Sequence, residues 1–162
     1  MGPSVNKRGL LMTTTNNAAS DAPSRYGNPR RYFDGADIRA QCRHVATVVT
    51  VRGDINATNI ERVSGYVRPL ILPEKPFVLD LSGVNYFPTQ ALSFLSEVDE
   101  DCNNSDIEWG LIASDAVSQL LDAEDRQTMF PIADSVPHAL QHFVLVTDAR
   151  RSLLLPLLVN TA

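Results

Sequence analysis

One stretch, Phe77 to Phe94 (FVLDLSGVNYFPTQALSF), constrains the fold more than any other part of the chain. It opens on the apolar run Phe77-Val78-Leu79 and continues through Asp80-Leu81-Ser82. After an interval from Gly83 to Pro88, apolar residues return at spacings of three and four: Ala91, Phe94, Leu95, Val98 and Cys102. The period thus changes from strand to helix at Pro88-Thr89. The stretch reads as a buried strand, a turn supplied by Gly83 and Asn85, and a helix for which Thr89 is the N-cap. The near-continuous apolar run places the strand inside a sheet with both faces covered. A helix start of this kind has unpaired N–H groups and partial positive charge, so the Thr89-Gln90 corner can receive an anion.

The flanking segments supply the rest of a layered fold. Ala36–Cys42 alternates like an edge strand, and HVATVVTVR (His44–Arg52) is rich in Val and Thr. With only Arg43-His44 between them, the two are expected to pair as a hairpin, Val45, Thr47, Val49 and Val51 on one face and Ala46, Val48 and Thr50 on the other. Gly53-Asp54-Ile55-Asn56 ends the strand. Asn56 or Thr58 caps the next helix, Glu61 sits at capping-box spacing from Thr58, and Ile60, Val63, Val67 and Leu70 trace one face before Pro73. Ile107–Ile112 is a further strand, and Ser114 caps a short helix bearing Val117, Leu120 and Leu121. Phe130-Pro131-Ile132 reads as a short extra strand. Ser135 then caps a last helix through Val136, Ala139, Leu140 and Phe143, with Pro137 tolerated in its first turn. This order predicts an α/β fold: a mixed sheet of four to five strands, opening on a β-hairpin and covered by about four helices.

Composition sets the limits of the folded part. Residues 1–34 are rich in Ser, Thr, Asn, Pro and Gly and read as a disordered tail. Residues 35–145 form the domain, and 146–162 an apolar extension, Ser152 to Val159, that packs on the body or serves as a docking or dimerisation arm. Met12 is an alternative start that would leave Thr13, Thr14 and Thr15 at the end, an exposed cluster suited to a Ser/Thr kinase. The tail carries five basic and two acidic side chains; the whole chain is −5, so residues 35–162 carry −8. An acidic body of that kind disfavours nucleic acid and suits a basic protein partner.

No apolar run reaches the ~20 residues of a membrane span, and the N-terminus lacks a secretory apolar segment, so the expected location is the cytoplasm. Cys42 and Cys102 are expected to be buried and inert thiols, or else a redox-regulated pair. With the scattered His44, His138 and His142 they make no metal-ligand spacing, and no cofactor is expected. Asp80 lacks the acidic pair and late lysine that a phosphorylated receiver aspartate needs, since the lysines are Lys7 and Lys75 alone. No catalytic constellation is apparent, and the reading is of a non-enzyme.

Three segments together resemble the STAS family, whose bacterial members include anti-sigma factor antagonists. TVVTVRGDINATNIERV is similar to the family's strand, turn and first helix; FVLDLSGVNYF to its central strand; and WGLIASDAVSQLLDAEDRQTMFPIADSVPHAL to its closing strand–helix–strand–helix run. The resemblance implies a domain that regulates transcription by binding an anti-sigma factor or related kinase-like regulator. It also implies a loop Asp-Ser-Ser-Gly after the central strand, with the second serine phosphorylated. Here the loop reads Pro88-Thr89-Gln90-Ala91, so Gln90 stands at the acceptor position and cannot take a phosphoryl group. Asn56 likewise replaces the Asp that the family carries two residues after its turn acid, here Asp54. The implied partner face comprises Asp54, Asn56, Pro88, Thr89, Gln90, Ser93 and Glu97, with Ser96 and Glu100 beside them. Glu97 to Asp101 would be a solvated face or would steer a basic partner. Control would come from Thr13 to Thr15, from Thr89, or from the cysteines. The alternative reading is a ligand-sensing module holding a nucleotide or other anion at the Thr89 helix start.

Overall fold

The computed structural model of the protein describes residues 30 to 161. The expected tail over residues 1–29, with Thr13, Thr14 and Thr15, lies outside the described residues. Five strands form one mixed sheet in sequential order: β1 Arg30–Phe33, β2 Ala36–Cys42, β3 Thr47–Asp54, β4 Phe77–Tyr86 and β5 Trp109–Ile112. β1, β2 and β3 pair antiparallel, whereas β3–β4 and β4–β5 are parallel. Among the described residues the sheet is accompanied by four α-helices: α1 Ile60–Val67, α2 Leu92–Asn104, α3 Asp115–Ala123 and α4 Val136–Thr161.

The period of two in each strand divides the molecule into two cores. Ile38, Val49, Val51, Leu79, Leu81 and Leu111 face α1, α2 and α3, where Val63, Val67, Phe94, Leu95, Val98, Val117 and Leu121 are buried against them. The opposite face carries a smaller core in which Ala46, Val48, Val78 and Ile112 meet Ala139 and Phe143 of α4. Both faces of β4 are therefore covered along Phe77–Leu79, as the apolar run requires. The helix starts at Ser114 and Ser135 are as expected: their hydroxyls accept from Val117 N at 3.3 Å and His138 N at 3.2 Å.

Several local expectations are corrected. Arg30–Phe33, assigned to the tail by composition, pairs with β2 as a sheet edge, because Phe33 also packs on Tyr66 of α1 at a ring separation of 6.0 Å. The β2–β3 turn spans Arg43 to Ala46, closed by Arg43 N to Ala46 O at 2.9 Å, so it is wider than Arg43-His44 alone. β4 does not turn at Gly83. It runs to Tyr86, its pairing with β3 re-registered at Arg52↔Gly83, Gly53↔Val84 and Asp54↔Tyr86, so ladder pairing overrides the turn propensity of Gly83 and Asn85.

Three more concern helices and the last strand. Thr89–Ala91 is a single 3₁₀ turn, α2 begins only at Leu92, and the Thr89 side chain caps neither. Phe130-Pro131-Ile132 contributes an isolated bridge, Leu111↔Ile132, instead of a strand. The segment 146–161 is continuous with α4, since Val144 to Ser152 holds neither Gly nor Pro to end the helix.

Candidate functional site

The two loops that carry the sequence-expected site leave the sheet side by side. Asp54 ends β3 directly opposite Tyr86 at the end of β4, and Ile55 N donates to Tyr86 O at 3.0 Å. The β3–α1 loop and the Pro88–Gln90 corner are thereby brought to one edge. Gly53 makes this approach possible: its φ is +96°, and a Cβ there would overlap the Gly35 carbonyl oxygen in the β1–β2 turn.

Within the β3–α1 loop, Asn56 and Asn59 brace each other. The Asn56 Oδ1 accepts from Thr58 N, Thr58 Oγ1 and Asn59 N at 2.9, 2.6 and 3.0 Å, while Asn56 N donates to Asn59 Oδ1 at 2.9 Å. Asn56 is thus the residue that organises the start of α1, and no Thr58–Glu61 capping box forms among the described residues. Asn59, which sequence reasoning passed over, is wholly buried. Its Nδ2 donates to the carbonyls of Phe33, Asp34 and Asp54 at 3.0, 3.2 and 3.0 Å, tying three segments together.

Between α1 and α2 lies a groove of about 570 Å³. One wall carries Ala57, Ile60, Glu61, Ser64 and Gly65; the other carries Gln90, Ser93, Phe94 and Glu97. The structure therefore joins Gln90, Ser93 and Glu97 in one concavity and adds the α1 wall, which the sequence did not flag. Asp54, Thr89 and Gln90 are exposed, and the Ser93 hydroxyl donates to Gln90 O at 3.0 Å.

The acidic run on α2 is largely engaged within the molecule. Arg68 donates to Asp101 at 2.6 and 3.1 Å and lies 3.5 Å from Glu97, which also accepts from Ser64 Oγ at 3.2 Å. The hydrogen bonds to Asp101 raise the Arg68 pKa above its ordinary value. Asp99 accepts from the Trp109 indole at 2.9 Å and from Asn103 at 3.2 Å. These contacts leave Glu100 as the exposed member of the run, so the face is neither simply solvated nor a free acidic patch.

Among the described residues Arg68 is the one basic residue lining the groove, and its charge is already matched by Asp101 and Glu97. The cysteines differ in environment. Cys102 is buried, and burial foremost, with Asp99 and Asp101, pushes its thiol up to about 12, so it stays protonated at neutral pH. Cys42 is exposed rather than buried, and Lys75 Nζ lies 3.1 Å from its sulfur.

Comparison with known families returns the STAS domain, whose model matches residues 37–139. The chain belongs to the STAS family. Its match spans β2 to the start of α4, the part of the chain that builds four of the five strands and the α1–α2 groove. The STAS chain is similar to Osmosensory protein A of Mycobacterium tuberculosis, 42% identical over 158 residues, covering 93% of this chain and the whole of that relative. Its fold is that of solved anti-sigma factor antagonists. One from Mycobacterium paratuberculosis superposes with a TM-score of 0.58 at 22% identity, covering 69% of this chain and 97% of that one. A STAS-domain antagonist from Planctomyces limnophilus gives 0.58 at 16% identity, with 66% and 97% covered. The five-stranded sheet and four helices are accordingly a STAS fold, with no helix among the described residues long and apolar enough to cross a membrane.

Proposed function

We propose that this STAS protein is a non-enzymatic regulator of transcription that acts in the cytoplasm by binding an anti-sigma factor, or a related kinase-like protein, through the α1–α2 groove. Family membership and the shared fold of solved antagonists support the class of partner. The observation that carries the choice of surface is Gly65. It sits in the middle of α1 on the wall of the groove, and a Cβ added there would meet nothing within 4 Å. A mid-helix glycine lowers stability by roughly 0.5–1 kcal/mol relative to Ala. No packing among the described residues requires it, and close approach of a partner to the helix backbone would account for it.

Gln90 at the mouth of the groove cannot be switched by phosphorylation, so control comes from elsewhere: from Thr13 to Thr15 acted on by a Ser/Thr kinase, or from Thr89. The name of the similar M. tuberculosis protein supports an osmotic input.

The test uses the full chain. Partners captured from the native cytosol are identified, and the affinity of the anti-sigma factor is measured for wild type, Gly65→Ala, Gly65→Trp and Gln90→Glu. Gly65→Ala should melt higher than wild type, and Gly65→Trp and Gln90→Glu should bind at least about tenfold more weakly with their melting temperatures retained, a loss of about 1.4 kcal/mol. Full affinity in both bulky and charged variants would remove the groove from the interface.

A further inference from the structure

We infer that the half of the sheet's second face left uncovered among the described residues, across from the groove, is a binding site for a small polyanion of the phosphate type. The site rests on the strand registers and does not depend on the partner reading, because it lies on the other side of the sheet. Side chains that alternate away from the main core stack in rows across the strands. Arg30 on β1 stands opposite Arg39 on β2, Arg39 opposite Thr50 on β3, and Thr50 opposite Asp80 on β4. In the next row Asp37 faces Arg52, and Arg52 faces Gly83. The small core under α4 reaches only as far as Val48, with Val136 as the wall, and leaves a cavity of about 470 Å³ over these rows.

Its charge is not balanced internally. Arg30 is matched by Asp37, held by two bonds of 2.8 Å. That hydrogen bond, foremost, keeps the Asp37 carboxyl below the usual carboxylate range, with Arg39 and Arg52 adding to the effect. Among the described residues the Arg43 guanidinium bonds the neutral Gln41 Oε1, at 3.0 and 2.7 Å. Arg39 and Arg52 have no carboxylate partner within ion-pair distance among the described residues. Asp80 is the remaining acid, and its Oδ1 accepts from Ser82 N at 3.0 Å.

Four guanidinium groups therefore share two carboxylates, Asp37 and Asp80, within a chain of net charge −5. Like charges set opposite one another on a sheet, as Arg30 and Arg39 are, destabilise it unless a counter-charge is present. Arg52 is also positioned by the backbone beneath it: a Cβ on Gly83 would come within 2.8 Å of Arg52 Cγ, so the absence of a side chain there gives Arg52 room to lie across β4.

The dimensions and the acid select the ligand class. A cavity of this volume suits a small molecule, and the acidic body argues against a nucleic acid duplex. Guanidinium forks match phosphate oxygens two at a time. The anionic end belongs over Arg39, Arg43 and Arg52, and Asp80 admits a hydroxyl-bearing end on the β4 side. This place for an anion is distinct from the Thr89 corner and lies on the opposite face of the sheet.

Titration calorimetry of the full chain with inorganic pyrophosphate and with ADP tests the assignment. Saturable one-to-one binding is expected with at least one probe, weakened at least tenfold by Arg39→Glu and by Arg52→Gln, and unaffected by Arg151→Glu on α4. The Arg39→Glu and Arg52→Gln variants should both keep the wild-type circular dichroism spectrum. Tighter ADP than pyrophosphate would place the organic part in the cavity over β1 to β4, and equal affinities would limit recognition to phosphate; either supports the site. No saturable binding below millimolar concentration, or equal weakening by Arg151→Glu, would overturn it.

Discussion

Asn59 concentrates more of the fold's polar connectivity than any other side chain described. One buried amide donates to carbonyls 26, 25 and 5 residues away and so holds the β1–β2 turn against the end of β3 and the start of α1. Removing a buried hydrogen-bonding group leaves its partners unsatisfied, at about 1–3 kcal/mol for the group. Asn59→Ala is therefore expected to lower stability by about 2–4 kcal/mol in urea unfolding, with Asn59→Asp no better, because its carboxylate would face those carbonyls. A loss below about 0.5 kcal/mol would mean that the amide is a bystander. At this scale the caps Ser114 and Ser135 were legible, since a cap bonds a backbone group three residues away. Asn59 was not legible, because two of its three partners come from a segment that composition had assigned to the tail.

Among the elements, the length of β4 and the closeness of the β1–β2 turn were the features that local propensity misread. Gly83 and Asn85 favour turns, yet both lie in a strand because β3 offers a parallel partner through Asp54. Gly53 was read as a strand breaker and instead stays in the ladder at positive φ, against Gly35. Gly53→Ala combines left-handed backbone strain with overlap on the turn and should destabilise by about 2–3 kcal/mol. Hydrogen exchange should show the loss first in Arg30–Phe33 and the β1–β2 turn, with β4 and β5 still protected. Uniform loss across the sheet would show that the turn is not a separable unit. The Arg68 brace between α1 and α2 acts differently: its groups are partly exposed, so it contributes less than about 1 kcal/mol and serves mainly to fix the width of the groove.

The whole molecule is a sheet with unequal covers, a large core under α1 to α3 and a small one under α4. Phe143 is 2% exposed and anchors the small core alongside Ala139. Phe143→Ala should cost about 3 kcal/mol of α4 docking. Exchange should rise in α4 and not in α1 or α2, and a cooperative loss of the entire fold would refute the division into two cores. The chain's own residues determined the α/β class, the central strand, the helix faces and the family, because these depend on periodicity and near-neighbour chemistry. Tertiary structure alone decided which residues share a site. The α1 wall of the groove, the capture of Glu97 and Asp101 by Arg68, and the cluster of arginines in two adjacent rows of β1, β2 and β3 arise from contacts and registers between segments that lie far apart in sequence. A period of two states that Arg39 and Arg52 point away from the core; only strand pairing sets them beside each other.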